Sequence, residues 1–215
     1  LLDHAAGAYQ DAISRLTRAL ALQEKALGPE HLTLAMTLNN LSAAHMGLGE
    51  REEAARVQQR ALAIREQNLG PQHPDVAMSL HNVGTIRFSM GAQEEAAGLF
   101  ERAIAIREQS LGREHPEVAM TLNNLAVLRG EQGDPEEAAR LHRRALAVRE
   151  KVLGPDHPDV AESLINLGNS SRRAGAFEEA STMLSRALVI QQKAVGPEHP
   201  RVAKILEGLA LVADG

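Results

Sequence analysis

The sequence contains no cysteine and no tryptophan, and phenylalanine, tyrosine and tryptophan together make up only 2% of it. Without cysteine the chain has no disulfide, no thiolate metal ligand and no cysteine nucleophile, and nothing favours an oxidising compartment. A core with so few aromatic residues must consist of Ala, Leu, Val, Ile and Met, a composition that favours packed helices over sheets. We therefore expect an all-α protein of the cytoplasm.

Long apolar runs and an excess of positive charge are also missing. No apolar stretch approaches the roughly 18 residues of a membrane-spanning helix, and no signal peptide precedes the repeats. The formal net charge is -5 and the isoelectric point is about 6.0, whereas phosphate binding requires a basic surface. We expect neither a membrane nor a nucleic-acid partner. The chain begins with leucine rather than methionine, which suggests an excerpt from a longer protein.

The sequence does contain an internal repeat with a period of 42 residues. Its columns are Gly28, Gly70, Gly112, Gly154 and Gly196; His31, His73, His115, His157 and His199; Leu38, Leu80, Leu122, Leu164 and Leu206; and Gly49, Gly91, Gly133 and Gly175. A fixed period in this range indicates a solenoid of stacked supersecondary elements, each contacting mainly its neighbours.

Each repeat contains the start and stop signals of two helices. In the second repeat Pro74 and Asp75 favour the start of a helix, which we expect from about Pro74 to Met90 and name helix A. Gly91 ends helix A, and Glu94 and Glu95 mark the start of a second helix, helix B, which Gly112 ends. Because the connection is short, the two helices should form an antiparallel hairpin.

The repeat boundaries predict a single array over residues 1–215. It comprises a partial repeat at 1–28, full repeats at 29–70, 71–112, 113–154 and 155–196, and a terminal helix at 197–215. Leucines near both ends, Leu1, Leu2, Leu206 and Leu209, would leave apolar stacking surface without a neighbouring repeat. Weak end-to-end self-association is therefore an expectation.

A family resemblance is carried by the third repeat. It comprises Leu122-Asn123-Asn124-Leu125-Ala126, then Gly133, Glu136-Glu137-Ala138-Ala139, Arg144-Ala145-Leu146-Ala147-Val148-Arg149-Glu150-Lys151, and Leu153-Gly154-Pro155-Asp156-His157-Pro158. This pattern resembles the 42-residue tetratricopeptide repeat of kinesin light chains and of many bacterial proteins, and it favours a bacterial source. The resemblance implies a right-handed superhelix. Its concave groove, lined by the A helices, would hold peptide segments of other proteins.

Helical geometry identifies the residues that face away from the core. In the third repeat Leu122, Leu125 and Ala126 point inward, so Met120 and Asn124 face elsewhere. The period then gives a column of asparagines, Asn40, Asn82, Asn124 and Asn166, which we call the asparagine ladder. A carboxamide both donates and accepts hydrogen bonds, so the ladder suits the backbone of an extended peptide. The alternative is that these amides only join neighbouring helices.

Further candidate binding residues flank the ladder. A neighbouring column holds Asn39, His81 and Asn123; a methionine column holds Met36, Met78 and Met120; and the far end of helix A carries Phe88, Asn169, Arg172 and Arg173. Methionine thioethers suit adaptable contacts, although methionine at helical spacing also fills cores. The phenylalanine and the arginines would supply an apolar and a basic anchor for an acidic peptide, or simply end their helices.

No pattern indicates catalysis, a metal or a cofactor. The histidine column cannot hold one ion, because packed helices lie about 8 to 10 Å apart and zinc ligands lie about 2 Å from the metal. We interpret these histidines as turn residues with local bonds, and the repeated Glu-Glu pairs as partners of the helix dipole and, at i,i+4, of Arg56 and Arg140. Phosphate-binding loops and hydrolase motifs are absent from the sequence.

The sequence therefore predicts a non-catalytic scaffold that binds an extended peptide segment in its groove. One alternative remains, a sensor or autoinhibitory arm of a larger ATPase or protease, since bacterial arrays of this kind often adjoin such domains.

Overall fold

The computed structural model describes the backbone of residues 2–213 and the side chains of residues 6–213. Within that range the chain forms ten α-helices and no strand, which confirms the all-α prediction. The helices are α1 (Leu2–Leu27), α2 (Leu34–Leu48), α3 (Arg51–Leu69), α4 (Pro74–Ser89), α5 (Gln93–Leu111), α6 (Pro116–Glu131), α7 (Pro135–Leu153), α8 (Pro158–Arg173), α9 (Phe177–Val195) and α10 (Pro200–Ala213).

The helices fall into two compact units, residues 1–111 and residues 112–215. Inside each unit every helix packs against the next one along the chain. The even-numbered helices are the A helices and the odd-numbered helices are the B helices of the repeat. No helix among residues 2–213 has the length and the apolar character needed to cross a membrane.

The column of five histidines occupies the turns that precede the A helices. In each turn the ring Nδ1 accepts a hydrogen bond from the backbone N–H two residues further along. For His73 and His157 the distance from the backbone nitrogen to the ring Nδ1 is 3.1 Å. These bonds satisfy a helix N-terminal donor that would otherwise lack a partner, and they confirm the local role predicted for the histidines.

The glutamate pairs at the starts of the B helices also behave locally, with one difference from the prediction. Arg56 pairs with Glu53 and Arg140 pairs with Glu137, in both cases across three residues rather than four. The Arg140 pair has two 2.6 Å hydrogen bonds, from Nε and Nη2 to the two carboxylate oxygens. Because an arginine side chain bends back along its helix, the i,i+3 spacing gives this fork its two-point contact.

The two helices of a hairpin approach each other through side chains of opposite size. Phe100 of α5 is fully buried against Gly84 of α4, so closely that a Cβ atom on the glycine would lie 2.8 Å from Phe100 Cε1. Two repeats further along, Leu184 of α9 packs in the same way against Gly168 of α8. A Cβ atom on Gly168 would lie 2.7 Å from Leu184 Cγ. At both positions a small residue on the A helix makes room for a large one on the B helix.

Two leucines in the terminal helices are exposed, although the equivalent residues of the internal repeats are buried. Leu206 of α10 is 49% exposed, whereas the equivalent Leu38, Leu80, Leu122 and Leu164 are buried. Leu22 of α1 is 62% exposed, whereas Ile64, Ile106, Val148 and Ile190 are buried at its position. Leu209 is half-buried, and Leu1 and the side chain of Leu2 lie outside the described residues. Among the described residues α10 is the last A helix and has no B helix packed after it, and α1 is the first B helix and has no A helix packed before it.

We expect the 215-residue polypeptide to self-associate weakly, because α1 of one copy can cover the apolar face of α10 of another. Sedimentation velocity at rising concentration should show an increase in weight-average mass. Leu206→Lys should abolish this increase. Val189→Lys is the matched control, since Val189 is exposed in a column where Ala63, Ala105 and Ala147 are also exposed. A mass that stays monomeric at every concentration would contradict the prediction.

Candidate functional site

The residues predicted to face away from the core form an accessible surface on the A helices, which we call the A face. In the first unit it consists of Met36, Asn40, Ala43 and Gly47 of α2 and Met78, Asn82, Thr85 and Ser89 of α4. In the second unit it consists of Met120, Asn124, Val127 and Glu131 of α6 and Glu162, Asn166, Asn169 and Arg173 of α8. Each of these residues is exposed or half-buried. The A face is therefore available to a partner in both units.

The asparagine ladder is partly engaged in bonds between neighbouring A helices. Asn82 Nδ2 donates to Asn39 Oδ1 at 2.7 Å, and Asn166 Nδ2 donates to Asn123 Oδ1 at 3.3 Å. Both ladder residues are half-buried, and Asn40 is exposed. Each bond uses one of the two N–H groups of a ladder amide and leaves its carbonyl oxygen as an acceptor. The ladder thus has a packing role, and it keeps hydrogen-bonding capacity for a ligand.

The column beside the ladder lies deeper than the sequence suggested. Asn39 and Asn123 are half-buried and accept the ladder bonds, and Asn39 Oδ1 also accepts from Gln58 Nε2 at 3.2 Å. His81 is buried, with its ring centroid 5.7 Å from that of Phe100. His81 therefore packs inside its hairpin rather than on the A face. The sequence pattern could not show which of these positions are buried, because adjacent residues on a helix, such as His81 and Asn82, can lie on opposite sides of the boundary between the core and the surface.

The methionine column lies at the N-terminal end of the A face. Met36 and Met120 are exposed, and Met78 is half-buried. In the second unit Met120 lines a cavity of about 410 Å³ whose other lining residues are Pro116, Val148, Arg149, Val152, Leu153, Asp159 and Glu162. We call it the apolar cavity, since Met120, Val152 and Leu153 each expose about two fifths or more of their surface. Sequence analysis did not single out Val152, which stands where Ala26, Asn68, Ser110 and Ala194 stand in other repeats.

A second cavity lies at the C-terminal end of the A face in the second unit. It has a volume of about 360 Å³ and is lined by Ala126, Val127, Gly130, Glu131, His142, Asn166, Asn169, Ser170, Arg172 and Arg173. This basic cavity brings together four of the predicted binding residues, Asn166, Asn169, Arg172 and Arg173. Phe88, the predicted apolar anchor, is half-buried near the end of α4 in the first unit.

The basic cavity also contains a residue that sequence analysis missed. His142 of α7 is 3% exposed, and burial, followed by the positive charge of Arg149, lowers the pKa of its ring from 6.5 to about 4. The ring is therefore neutral at physiological pH. The 42-residue period could have indicated that this position is buried, because the same column holds the apolar residues Leu16, Phe100 and Leu184.

Comparison with known proteins gives matches along most of the chain. The family model described as tetratricopeptide repeat matches residues 1–67, 34–109, 98–151 and 117–193. A search of curated proteins found no match. Among solved structures, a Podospora anserina protein named as a kinesin light chain with nearly identical TPR-like repeats is 27% identical, with a TM-score of 0.76. That alignment covers 91% of this chain and 93% of the other.

Two further structures agree with this match. A variant of the Podospora protein is 28% identical over 90% of this chain and 92% of the other, with a TM-score of 0.77. BtubC from P. vanneervenii is 22% identical over 100% of this chain and 84% of the other, with a TM-score of 0.79, and supports the fold alone. Together with the 42-residue period, these matches show that the chain belongs to the tetratricopeptide repeat family and has an all-α solenoid fold, and that it is similar to kinesin-light-chain-like proteins of that family.

Proposed function

We propose that the protein is a non-catalytic interaction module whose A face holds an extended segment of a partner protein. Tetratricopeptide repeats mediate protein–protein interaction, and proteins built from them are typically scaffolds. The observation that carries the proposal is the asparagine ladder, whose amides lie on an accessible surface and retain acceptor oxygens beside their bonds to the neighbouring helix. Carboxamides can pair with any peptide backbone, whatever the side chains of that peptide.

The second unit adds features that suit side chains of such a segment. The apolar cavity lies at the N-terminal ends of α6 and α8, and the basic cavity lies at their C-terminal ends. From Met120 to Gly130 the helix advances by about 15 Å, at about 1.5 Å per residue. An extended peptide covers that length in about four to five residues. We therefore expect a segment whose apolar side chain is followed or preceded at that spacing by a polar one.

The ladder is tested by replacing Asn82 and Asn124 together by alanine. If each amide bonds the backbone of a bound peptide, the double variant should bind about five to 150 times more weakly, because each bond contributes about 0.5 to 1.5 kcal/mol. Peptide ligands would first be selected on an array with the purified wild-type protein and then titrated calorimetrically. The loss of the Asn82 bond to Asn39 should cost at most about 1 kcal/mol of stability, since the pair is half-buried and Asn39 keeps its bond from Gln58.

The matched control is Asn68→Ala on the B helix α3. Asn68 donates to the carbonyl oxygens of Glu30 and Ile64, so this variant should lose stability without losing affinity. A double ladder variant that melts at a much lower temperature but keeps full affinity would show that the ladder serves packing alone, and would overturn the proposed role.

A further inference from the structure

A buried polar contact between a B helix and the following A helix is missing at the junction of α9 and α10. One repeat earlier, Arg149 Nη1 donates to Ser163 Oγ at 2.6 Å. The equivalent residues are Gln191 of α9 and Ile205 of α10, and both are buried. Because isoleucine offers no polar side-chain atom, Gln191 Oε1 is buried without a hydrogen-bond partner among the described residues. A buried acceptor without a donor costs free energy, which a donating ligand would recover.

Gln191 forms part of the lining of a cavity between the N-terminal ends of α8 and α10, which we call the α8–α10 cavity. The charged residues of its lining are Asp159 and Glu162 of α8 and Arg201 and Lys204 of α10. The volume is about 240 Å³, below the range of about 300 to 1,000 Å³ that is typical of sites for drug-sized ligands. A site of this size suits a small metabolite rather than a segment of a protein.

The charges of α10 at this cavity depart from the repeat. Arg201 stands in a column where the three preceding A helices carry acids, and Lys204 stands in a column where they carry methionine or glutamate. The equivalent residues are Asp75, Glu117 and Asp159 for Arg201, and Met78, Met120 and Glu162 for Lys204. Residues three apart share a face of a helix, so the two acids of α8 form one wall and the two bases of α10 form the other.

The two walls define the class of ligand. Among the described residues no ion pair joins them, and the four formal charges sum to zero. An ammonium group would bond the carboxylates of Asp159 and Glu162, and a carboxylate would bond the cationic groups of α10, in both cases through charge-assisted hydrogen bonds. The carboxamide of Gln191 both donates and accepts, so its oxygen can accept from the ammonium group. A small molecule that carries both charges therefore matches the cavity better than a simple anion or cation.

We propose that the α8–α10 cavity binds a free α-amino acid. Its ammonium group faces Asp159, Glu162 and the oxygen of Gln191, and its carboxylate faces Arg201 and Lys204. The site goes beyond the proposed peptide-binding function and does not depend on it. The end of a peptide chain carries only one of the two charges, so the cavity would distinguish a free amino acid from a chain terminus.

The first arm of the test measures binding to the 215-residue protein labelled with nitrogen-15. Each of the twenty L-α-amino acids is titrated separately, and the side-chain amide resonances of Gln191 are followed. We expect a saturable shift with at least one amino acid. The N-acetyl derivative and the α-amide of that amino acid each lack one charge and should bind at least about tenfold more weakly. Absence of a saturable shift with all twenty, or equal binding of either derivative, would overturn the assignment.

The second arm replaces the basic wall by the residues of an earlier repeat. Arg201→Asp and Lys204→Met together give α10 the residue types of Glu117 or Asp159 and of Met120. Both positions are exposed and an acid suits a helix N-terminus, so the melting temperature should hold while the shift at Gln191 disappears. Lys193→Met is the matched control, since Lys193 is exposed on α9 outside the cavity lining, and it should keep full affinity. Binding that survives in the double variant would overturn the assignment.

Glu162→Gln tests the acidic wall with almost no change in side-chain size. This variant should bind the amino acid at least about tenfold more weakly, and it should bind the N-acetyl derivative, which has no ammonium group, as the wild-type protein does. Equal losses for the two compounds would show that Glu162 does not face the ammonium group, and would overturn the assignment. Peptide binding is measured separately with the ladder variant, so either function can fail without the other.

Discussion

Replacing Phe100 by alanine is expected to lower the free energy of unfolding by about 3 to 5 kcal/mol, which would make it one of the most damaging single changes in the chain. Phe100 has no exposed surface, and its ring packs against His81 and Gly84 of the facing helix. Alanine would leave a cavity that the backbone of two packed helices cannot close. Urea unfolding followed by circular dichroism measures the loss, with Gln109→Ala, an exposed change on the same helix, expected to stay within about 0.5 kcal/mol.

The same site allows a sharper test of the size-matching between helices. In the wild-type protein Gly84→Ala should destabilise by about 1 to 3 kcal/mol, because its Cβ would lie 2.8 Å from Phe100 Cε1. In the Phe100→Ala background the same change should stabilise by up to about 1 kcal/mol, since alanine is the better helix former and the ring is gone. Equal effects of Gly84→Ala in both backgrounds would show that the two positions do not pack as a pair.

Acidification from pH 7.5 to pH 5 is expected to destabilise the protein through two buried histidines. Burial, followed by the positive charge of Arg107, lowers the pKa of His81 to about 4, and burial together with Arg149 lowers that of His142 to about 4. In the unfolded chain both rings titrate near pH 6.5, so between pH 6.5 and pH 4 the unfolded state binds more protons than the folded state. Stability therefore decreases as the pH is lowered through that window, by on the order of 2 kcal/mol per histidine at pH 5.

Two substitutions taken from other repeats isolate this effect. His142→Leu places at that position the residue found at Leu184, and His81→Asn places there the residue found at Asn39 and Asn123. Each variant should lose about half of the stability difference between pH 7.5 and pH 5, and the double variant should lose most of it. Carboxylates such as Glu137 and Glu179, whose pKa is lowered by paired arginines, act only at lower pH. A double variant with the full pH dependence would contradict the assignment to these histidines.

Local interactions explain why much of the fold was predictable from the sequence. The start of α4 at Pro74 and its end next to Gly91 follow from residues that act on their own turn, and the backbone of Gly91 has a φ of +81°, which favours glycine. The hydrogen bond from the Asp75 N–H to the His73 ring joins residues two positions apart, so the local sequence is enough to predict it. The 42-residue period then carries these local features through the array and defines the columns of the A face.

Contacts between residues distant in sequence required the tertiary structure. Whether an asparagine of the ladder faces a ligand or a neighbouring helix depends on the approach of α2 and α4, which places Asn82 2.7 Å from Asn39 across 43 positions. The basic cavity likewise arises where α6, α7 and α8 meet, and the buried ring of His142 forms part of its lining. Periodicity predicts the direction of a side chain from its own helix. Only the packing of helices determines which side chains share a space and which polar atoms remain without a partner.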